Sequence, residues 1–242
     1  MRVFGLVGFP LSHSFSKKYF TEKFENENLL ECRYENFPIN SLALLPGILK
    51  NTPYLEGFNV TIPYKETIIE FLNESSAEVK EMKACNCIKI VEERLIGYNT
   101  DTIGFHHSLV KKLQLHHKKA LILGTGGAAK AVAFVFKKLK IEFSNVSRSG
   151  AAGFNYEELT SELINDHTII VNTTPVGMWP DAGVAPPIPY QFITNKHLLF
   201  DLIYNPKQTL FLQYGSEKGA AIQNGEEMLI IQAEESWKIW NQ

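Results

Sequence analysis

The segment 124–129, which reads G-T-G-G-A-A, restricts the fold of this chain more than any other segment. It follows the apolar run 120–123, which predicts a strand, and it precedes a helical pattern over 129–139. Glycines at a strand end let the backbone approach a ligand, and the following helix directs N–H groups and its positive dipole end to the same place, which suits a pyrophosphate. We therefore predict a dinucleotide site here, whose candidate residues are Gly124, Gly126, Gly127, Ala128 and Ala129. The alternative is a tight strand–helix turn without a ligand.

The end of the next predicted strand, over 143–146, indicates which dinucleotide the site takes. In dinucleotide-binding folds this strand end meets the adenosine ribose, where an acidic side chain holds the 2′-hydroxyl of NAD. Here Ser147 and Arg148 follow the strand. A guanidinium suits the 2′-phosphate of NADP, so the sequence predicts NADP (NADPH) as the cofactor.

Composition restricts the class of protein and its partners. A chain of 242 residues, 45% hydrophobic and 21% charged, suits one large or two small globular domains. The net charge of −2 gives no argument for nucleic acid or an anionic membrane, and no apolar run approaches the roughly 20 residues of a membrane span. Three cysteines cannot all pair, and none has zinc-site spacing. We expect reduced thiols in a cytoplasmic protein with a small-molecule substrate and with no metal, nucleic-acid or membrane partner.

Strand and helix patterns alternate along the chain, which predicts an α/β fold with mostly parallel strands. Before the glycine loop the predicted strands cover 3–7, 32–37, 57–61, 86–91 and 94–98, and the predicted helices cover 16–27, 41–49, 63–71 and 103–113. Further strands are predicted over 120–123, 143–146, 168–172, 197–201 and 220–223, followed by an amphipathic helix over 228–240. Because the glycine loop lies about halfway along the chain, we expect a separate domain before it, with a boundary near Asp101.

A polar loop over 8–16 follows the first predicted strand and includes Ser12, His13, Ser14 and Ser16. Hydroxyl groups at a helix N-terminus form a corner that binds a carboxylate. The alternative is an N-cap, in which one serine caps the helix and the other serines face solvent.

Asn59, Thr61 and Lys65 lie where a predicted strand turns into a helix. A lysine beside a substrate hydroxyl can donate or accept a proton. Asn86 and Asp101 lie at other strand ends, and a carboxylate close to Lys65 would orient it. The alternatives are a solvated lysine in a first helical turn and an aspartate that only caps a helix.

Two more strand ends in the second half of the chain carry polar and proline-containing segments. Thr173 and Met178 lie in 172–178, and Tyr204 lies in 201–206. The carboxyl ends of parallel strands line the cofactor crevice of dinucleotide-binding folds. The alternative is an ordinary turn at each place.

Taken together, these segments resemble the shikimate dehydrogenase family along the whole chain. The motifs that carry the resemblance, in order, are G-x-P-x-x-H-S-x-S, N-V-T-x-P-x-K, G-x-N-T-D-x-x-G, G-x-G-G-A-A, N-T-T-P-x-G-M, D-x-x-Y-x-P and M-L-x-x-Q. The resemblance implies a substrate-binding and catalytic domain over 1–101, completed by the C-terminal helix 227–242. It further implies a Rossmann-like NADP-binding domain over 102–226 and a central cleft that narrows on binding.

The resemblance also implies roles for individual residues. Lys65 and Asp101 correspond to the catalytic pair, and Ser14 and Ser16 to the pair that holds the substrate carboxylate. The groups around the substrate ring correspond to Asn59, Thr61, Asn86, Tyr204 and Gln232. The cofactor groups correspond to Gly124, Gly126, Gly127, Ala128, Ala129, Ser147, Arg148, Thr173 and Met178.

The activity that the resemblance implies is the reversible, NADPH-dependent reduction of 3-dehydroshikimate to shikimate by a monomer or homodimer.

The chain departs from the family pattern at Lys17, at Cys85 and Cys87, at Ser147 and at Glu227, and it lacks a second basic residue shortly after Arg148. Two alternatives stay open: a quinate/shikimate dehydrogenase that uses NAD, and a nucleotide-binding protein without catalysis.

Overall fold

The structure is a computed structural model that describes residues 1–11 and 14–242. The chain divides into two compact units. The first consists of Met1–Thr100 together with Gln232–Gln242, and the second consists of Asp101–Ile231. Within the described residues, no helix is long and apolar enough to cross a membrane.

The first unit is built on a mixed six-stranded sheet. Its strands are β1 (Arg2–Gly8), β2 (Cys32–Pro38), β3 (Leu55–Val60), β4 (Glu74–Ser75), β5 (Cys87–Val91) and β6 (Arg94–Tyr98). Its helices are α1 (Phe15–Asn26), α2 (Leu45–Asn51) and α3 (Ala77–Met82). The strand order is β2-β1-β3-β5-β6-β4; β1 runs parallel to both neighbours, whereas β5 is antiparallel to β3 and β6. The predicted strands over 86–91 and 94–98 are present as a hairpin of β5 and β6, and Glu92 and Glu93 form its turn with positive φ angles.

Alternate residues of the strands supply a core on each face of this sheet. Val3 and Val7 of β1 pack into an aliphatic cluster, whereas Phe4 packs into an aromatic cluster with Phe20 of α1 and Trp240 near the C-terminus. The indole of Trp240 donates a hydrogen bond to the Ile88 carbonyl oxygen at 3.0 Å. A Cβ at position 57 would collide with the Trp240 ring, so this glycine allows the C-terminal segment to pack on the sheet.

The second unit is a doubly wound parallel sheet. Its strands are β7 (Lys119–Leu123), β8 (Glu142–Val146), β9 (Gly153–Phe154), β10 (Ile169–Asn172), β11 (Leu198–Asp201) and β12 (Ala221–Gln223). Its helices are α4 (Asp101–Val110), α5 (Gly127–Leu139), α6 (Ser161–Asp166) and α7 (Leu210–Glu217), and α8 (Glu226–Trp240) begins in it.

The strands of this second sheet are all parallel, in the order β12-β11-β10-β7-β8-β9. Separate hydrophobic clusters cover its two faces, one containing Ile122 and the other Leu121. The strand order reverses between β7 and β10, and ligands of such sheets bind at the carboxyl ends of the strands at that point. The structure confirms the predicted α/β class and the Rossmann-like sheet.

The predicted helix over 63–71 is wrong in its first four residues. Residues 62–66 form turns, and only Thr67–Phe71 is helical, as a 3-10 helix. The carbonyl oxygen of Lys65 accepts a hydrogen bond from the Cys85 amide at 2.7 Å, so a distant segment takes an acceptor that an α-helix would use internally. The predicted helix over 41–49 likewise begins as a 3-10 helix, Leu42–Leu44.

The terminal helix α8 belongs to both units. Met228 packs in a hydrophobic cluster of the second unit, whereas Ala233 packs in the aromatic cluster of the first. The division therefore falls at Gln232, inside the helix, and differs from the boundary at 227 that the sequence predicts. Asp101 groups with the second unit because it is the first residue of α4.

Candidate active site

The two serines of the predicted carboxylate corner have different local roles. Ser14 is the N-cap of α1, and its Oγ accepts a hydrogen bond from the Lys17 amide at 3.3 Å. Ser16 lies inside the helix, is buried, and forms a hydrogen bond with Tyr34. Burial raises the pKa of Tyr34 well above its ordinary value, so its hydroxyl stays protonated. Ser14 thus fills the capping role that the sequence left open, while Ser12 and His13 lie outside the described residues.

Asn59 and Asn86 are buried, and hydrogen bonds fix their amide groups. Asn59 Oδ1 accepts from the Tyr34 hydroxyl at 3.0 Å. Asn59 Nδ2 donates to the Asn86 carbonyl oxygen at 3.2 Å and to Ser236 Oγ at 2.8 Å. Asn86 Nδ2 donates to Thr100 Oγ1 at 3.0 Å, and Asn86 Oδ1 accepts from the Thr100 amide at 2.7 Å. The two asparagines are therefore held in one orientation each.

Gln232, a buried residue of helix α8, contacts the same set of buried polar groups. Thr100 Oγ1 lies 3.4 Å from Gln232 Oε1 and 3.3 Å from Ser236 Oγ. Ser236 Oγ donates to the Gln232 carbonyl oxygen at 2.9 Å. Four predicted substrate-binding residues, Ser16, Asn59, Asn86 and Gln232, are thus connected within the first unit by Tyr34, Thr100 and Ser236.

Thr61 and Lys65 lie in the turn that follows β3. The Thr61 amide donates to the Val7 carbonyl oxygen at 2.9 Å, which attaches the turn to the end of β1. Lys65 is partly buried, and its carbonyl oxygen is held by Cys85. The lysine is therefore fixed by a backbone contact to the segment before β5, and not by a helix as the sequence predicts.

Two predicted residues of the site belong to the second unit. Asp101 is buried and is the first residue of α4, where a carboxylate is favoured by the helix dipole. Tyr204 follows β11 and is partly buried. The predicted pairing of Asp101 with Lys65 stays a prediction.

The glycine loop has the geometry of an anion-binding helix N-terminus. Gly124 has a φ of +115°, and a Cβ there would lie 2.6 Å from Thr173 Oγ1, so the position requires glycine. Gly126 is the N-cap of α5 and has no side-chain cap, and the first turn carries no acidic residue. A Cβ at Gly126 would have no heavy atom within 4 Å, so the space beside it is open. Gly127, Ala128 and Ala129 then form the first turn of α5.

Arg148 is exposed in a loop that closes on itself after β8. The Ser147 amide donates to the Phe154 carbonyl oxygen at 3.0 Å, and the Gly150 amide donates to the Ser147 carbonyl oxygen at 3.3 Å. Burial raises the pKa of Tyr156, and the nearby Arg148 charge opposes that rise. Among the residues that the structure describes, no carboxylate forms an ion pair with Arg148. Its guanidinium is therefore available to an anionic ligand.

The segment 172–178 forms a turn at the point where the strand order reverses. Thr173 Oγ1 donates to the Leu123 carbonyl oxygen at 2.6 Å, which joins the ends of β7 and β10. Asn172 Oδ1 accepts from the Thr174 amide at 3.0 Å and from its hydroxyl at 2.7 Å. Met178 is 41% exposed. The turn is held by its own hydrogen bonds and leaves the apolar side chain of Met178 partly exposed.

Asp201, at the end of β11, is a buried carboxyl group with three hydrogen-bond donors. Thr209 Oγ1 donates at 2.6 Å, the Ile203 amide at 3.0 Å and Asn172 Nδ2 at 3.0 Å. Burial raises the pKa of Asp201 to about 7, although the three donors act in the opposite direction. This residue connects the ends of β10 and β11 with the start of α7.

Comparisons with known proteins identify the family. Residues 6–88 match the model of the shikimate dehydrogenase substrate binding domain. A shikimate dehydrogenase (NADP(+)) of Methanococcus maripaludis is 36% identical to this chain. The alignment covers 99% of this chain and 91% of the relative. This chain belongs to the shikimate dehydrogenase family. A crystal structure of shikimate dehydrogenase 1 from Peptoclostridium difficile is 39% identical with a TM-score of 0.87, covering 100% of this chain and 92% of that one.

A second solved relative was crystallised with ligands. The shikimate 5-dehydrogenase of Thermus thermophilus, in complex with NADP(H) and shikimate, is 31% identical with a TM-score of 0.86. The alignment covers 99% of this chain and 93% of that one. Both units of the shikimate dehydrogenase fold are therefore matched in this chain.

Sequence reasoning did not assign several residues that organise this shikimate dehydrogenase fold. Thr100 lies in the motif G-x-N-T-D-x-x-G and Asp201 in D-x-x-Y-x-P, so their place beside assigned residues was the signal that could have identified them. Ser236 follows Gln232 by four residues, which places both on one helix face. Tyr34 carries no signal beyond its place in a predicted strand.

Proposed function

We propose that this chain is an NADP-dependent shikimate dehydrogenase that reversibly reduces 3-dehydroshikimate to shikimate. The observation that carries the proposal is the buried network in the first unit, which connects four of the polar residues that the family motifs assign to the substrate. Such a network costs desolvation energy unless every member is paired, and here it holds side chains of the kind that recognise a polyhydroxylated acid. The names of the relatives support the same activity.

The second unit suits NADP. The uncapped N-terminus of α5 and the open space at Gly126 fit a pyrophosphate, and Arg148 fits a 2′-phosphate. Bound NADPH supplies the hydride for the ring ketone. Thr173 and Met178 border the nicotinamide side, and Ser147 orders the loop that carries Arg148.

The protein contributes substrate orientation and proton transfer. Ser14 and Ser16 bind the substrate carboxylate, and Asn59, Thr61, Asn86, Tyr204 and Gln232 form the surroundings of the ring. Lys65 donates a proton to the oxygen that becomes the shikimate hydroxyl, and Asp101 is the carboxylate partner of the catalytic pair. In the oxidative direction Lys65 accepts that proton. We further propose a cytoplasmic location and a monomeric or homodimeric state.

One absorbance assay tests the proposed function against its alternatives. Reduction of NADP and NAD is followed with shikimate and with quinate as substrates. We expect the highest kcat/KM for shikimate with NADP. A preference for NAD with activity on quinate would favour the quinate/shikimate alternative, and no turnover with any pair would favour a non-catalytic nucleotide-binding protein.

The first prediction concerns the carboxylate corner. Replacing Ser14 or Ser16 with alanine should raise KM for shikimate about 10- to 150-fold, because a hydrogen bond to an ionised group contributes roughly 1.5–3 kcal/mol. KM for NADP should stay near the wild-type value. Steady-state kinetics with each substrate varied in turn measures both constants.

Ser76 provides a matched control for Ser14. It is the N-cap of α3, and its Oγ accepts from the Val79 amide at 3.4 Å, three residues ahead, as Ser14 does with Lys17. Both alanine variants lose a cap worth about 1 kcal/mol of stability. If Ser76→Ala raises KM for shikimate as much as Ser14→Ala does, the serine at the corner is only a helix cap.

The second prediction concerns cofactor choice. Arg148→Ala should weaken NADP binding by about 2 kcal/mol or more, because a guanidinium–phosphate contact is charged and geometrically specific. NAD should be little affected, since its ribose hydroxyl gains nothing from that charge. The ratio of kcat/KM for NADP to that for NAD should therefore fall toward one.

The exposed Arg33 of β2 supplies the control for this substitution. Arg33→Ala should leave the cofactor ratio unchanged. A wild-type ratio in Arg148→Ala would mean that another residue recognises the phosphate.

A further inference from the structure

Ser236 has a hydroxyl group with three polar neighbours inside the first unit. It donates to the Gln232 carbonyl oxygen at 2.9 Å, accepts from Asn59 Nδ2 at 2.8 Å, and lies 3.3 Å from Thr100 Oγ1. A serine hydroxyl has one donor and two acceptor sites. Because its proton is directed to Gln232, Ser236 Oγ acts as an acceptor toward Asn59, and Thr100 Oγ1 is its third polar neighbour.

We propose that Ser236 is a positioning residue for substrate recognition, which acts through the Asn59 side chain. This inference rests on the shikimate dehydrogenase function proposed above. Ser236 itself has an exposed fraction of 0% and is not assigned any contact with substrate.

The side-chain amide group of Asn59 has three hydrogen-bond partners. Its two Nδ2 hydrogens go to the Asn86 carbonyl oxygen and to Ser236 Oγ, and its Oδ1 accepts from Tyr34. An amide can rotate by half a turn unless its partners distinguish oxygen from nitrogen. Two acceptors on the nitrogen side make that distinction: the Asn86 carbonyl oxygen at 3.2 Å and, at the shorter distance of 2.8 Å, Ser236 Oγ, whose proton is directed to Gln232.

Loss of the Ser236 hydroxyl would leave one buried N–H of Asn59 without this acceptor. A buried unsatisfied donor is unfavourable, so the amide would rotate or move to find another partner. Asn86 would be disturbed as well, since its carbonyl oxygen accepts from the same Nδ2. Thr100, which contacts both Asn86 and Ser236, would lose one of its neighbours.

Ser236 also fixes the register of helix α8 against β3. The bond between Asn59 and Ser236 joins residues 177 positions apart. Gln232 precedes Ser236 by four residues on the same face, and its Oε1 lies 3.4 Å from Thr100 Oγ1. One hydroxyl thus helps to hold two of the residues that we assign to the substrate ring.

The chain contains a matched control for Ser236. Ser108 in α4 is also a helical serine with an exposed fraction of 0%, and its Oγ donates to the carbonyl oxygen four residues earlier, that of Gly104, at 2.7 Å. It differs from Ser236 in that no asparagine amide of the described residues donates to its hydroxyl. Replacing either serine with alanine removes the same intrahelical bond.

The test compares Ser236→Ala and Ser108→Ala by steady-state kinetics and thermal unfolding. We expect Ser236→Ala to raise KM for shikimate about 3- to 10-fold, the range for one hydrogen bond, with kcat within about 3-fold of wild type and KM for NADP unchanged. Ser108→Ala should leave all three constants near wild type. Equal KM values for shikimate in the two variants would overturn the proposal.

A double-mutant cycle with Asn59→Ala examines the route of the effect. If Ser236 acts through Asn59, Ser236→Ala should cause no additional rise in KM when Asn59 is already alanine. An undiminished rise in that background would overturn the proposed route. Absence of shikimate-dependent NADP reduction in the wild type would instead reject the proposed function, so the two failures can be told apart.

Discussion

Replacing Lys65 with alanine should lower kcat by roughly 10²–10⁴, the range for a lost general acid or base. The physical reason is that the oxygen of the ring ketone gains negative charge as the hydride arrives, and a nearby proton donor stabilises that charge only during the reaction. KM for shikimate should change much less than kcat. Steady-state kinetics in the direction of shikimate oxidation measures both.

Lys80 of α3 supplies a control for the loss of a positive charge from the same unit. Because it is exposed and outside the assigned residues, Lys80→Ala should retain wild-type kcat. A Lys65→Ala enzyme that keeps more than a tenth of wild-type kcat would remove Lys65 from the proton-transfer role.

Replacing Asp201 with asparagine should change the pH dependence of stability. Burial raises the pKa of Asp201 to about 7 in the folded protein, whereas an unfolded aspartate has a pKa of about 3.9. Between these values the folded state keeps a proton that the unfolded state releases, so the free energy of unfolding falls as pH rises. The wild type should lose roughly 3 kcal/mol relative to Asp201→Asn between pH 4 and pH 7.

Urea unfolding of both proteins at a series of pH values measures this difference. Asp166→Asn is an informative control, because the hydrogen bond from Lys119 lowers the pKa of Asp166. The stabilisation from the Asp166 carboxylate is present above the unfolded pKa and is lost as pH falls. This pH dependence is opposite in sign to the one expected for Asp201. A constant difference between wild type and Asp201→Asn from pH 4 to pH 7 would mean that the three donors keep the carboxylate ionised.

The strands of the second unit were predictable because each is a short apolar run bounded by turn residues. The run 120–123 and the glycines after it led to a parallel sheet with a helix N-terminus at the strand end, and both are present as β7 and α5. The family was predictable for the same kind of reason, since its motifs are local and follow one another in order. The assigned site residues stay predictions.

The turn at Lys65 shows where local patterns are insufficient. Pro63 and the apolar residues that follow are compatible with a helix, yet the Lys65 carbonyl oxygen bonds to Cys85, 20 positions further along the chain. That contact joins the turn after β3 to the segment before β5, so tertiary structure overrides the local preference.

The sequence by itself determined the α/β class, the glycine loop and the residue types available at each strand end. These depend on periodicity and on backbone conformations that a few residue types favour. Tertiary structure alone decided which buried groups pair with one another: Tyr34 with Asn59, Asn59 with Ser236, and Asp201 with Thr209. The physical reason is that a buried polar side chain must find a partner, and which partner lies within 3 Å depends on how distant segments pack and not on the residues beside it.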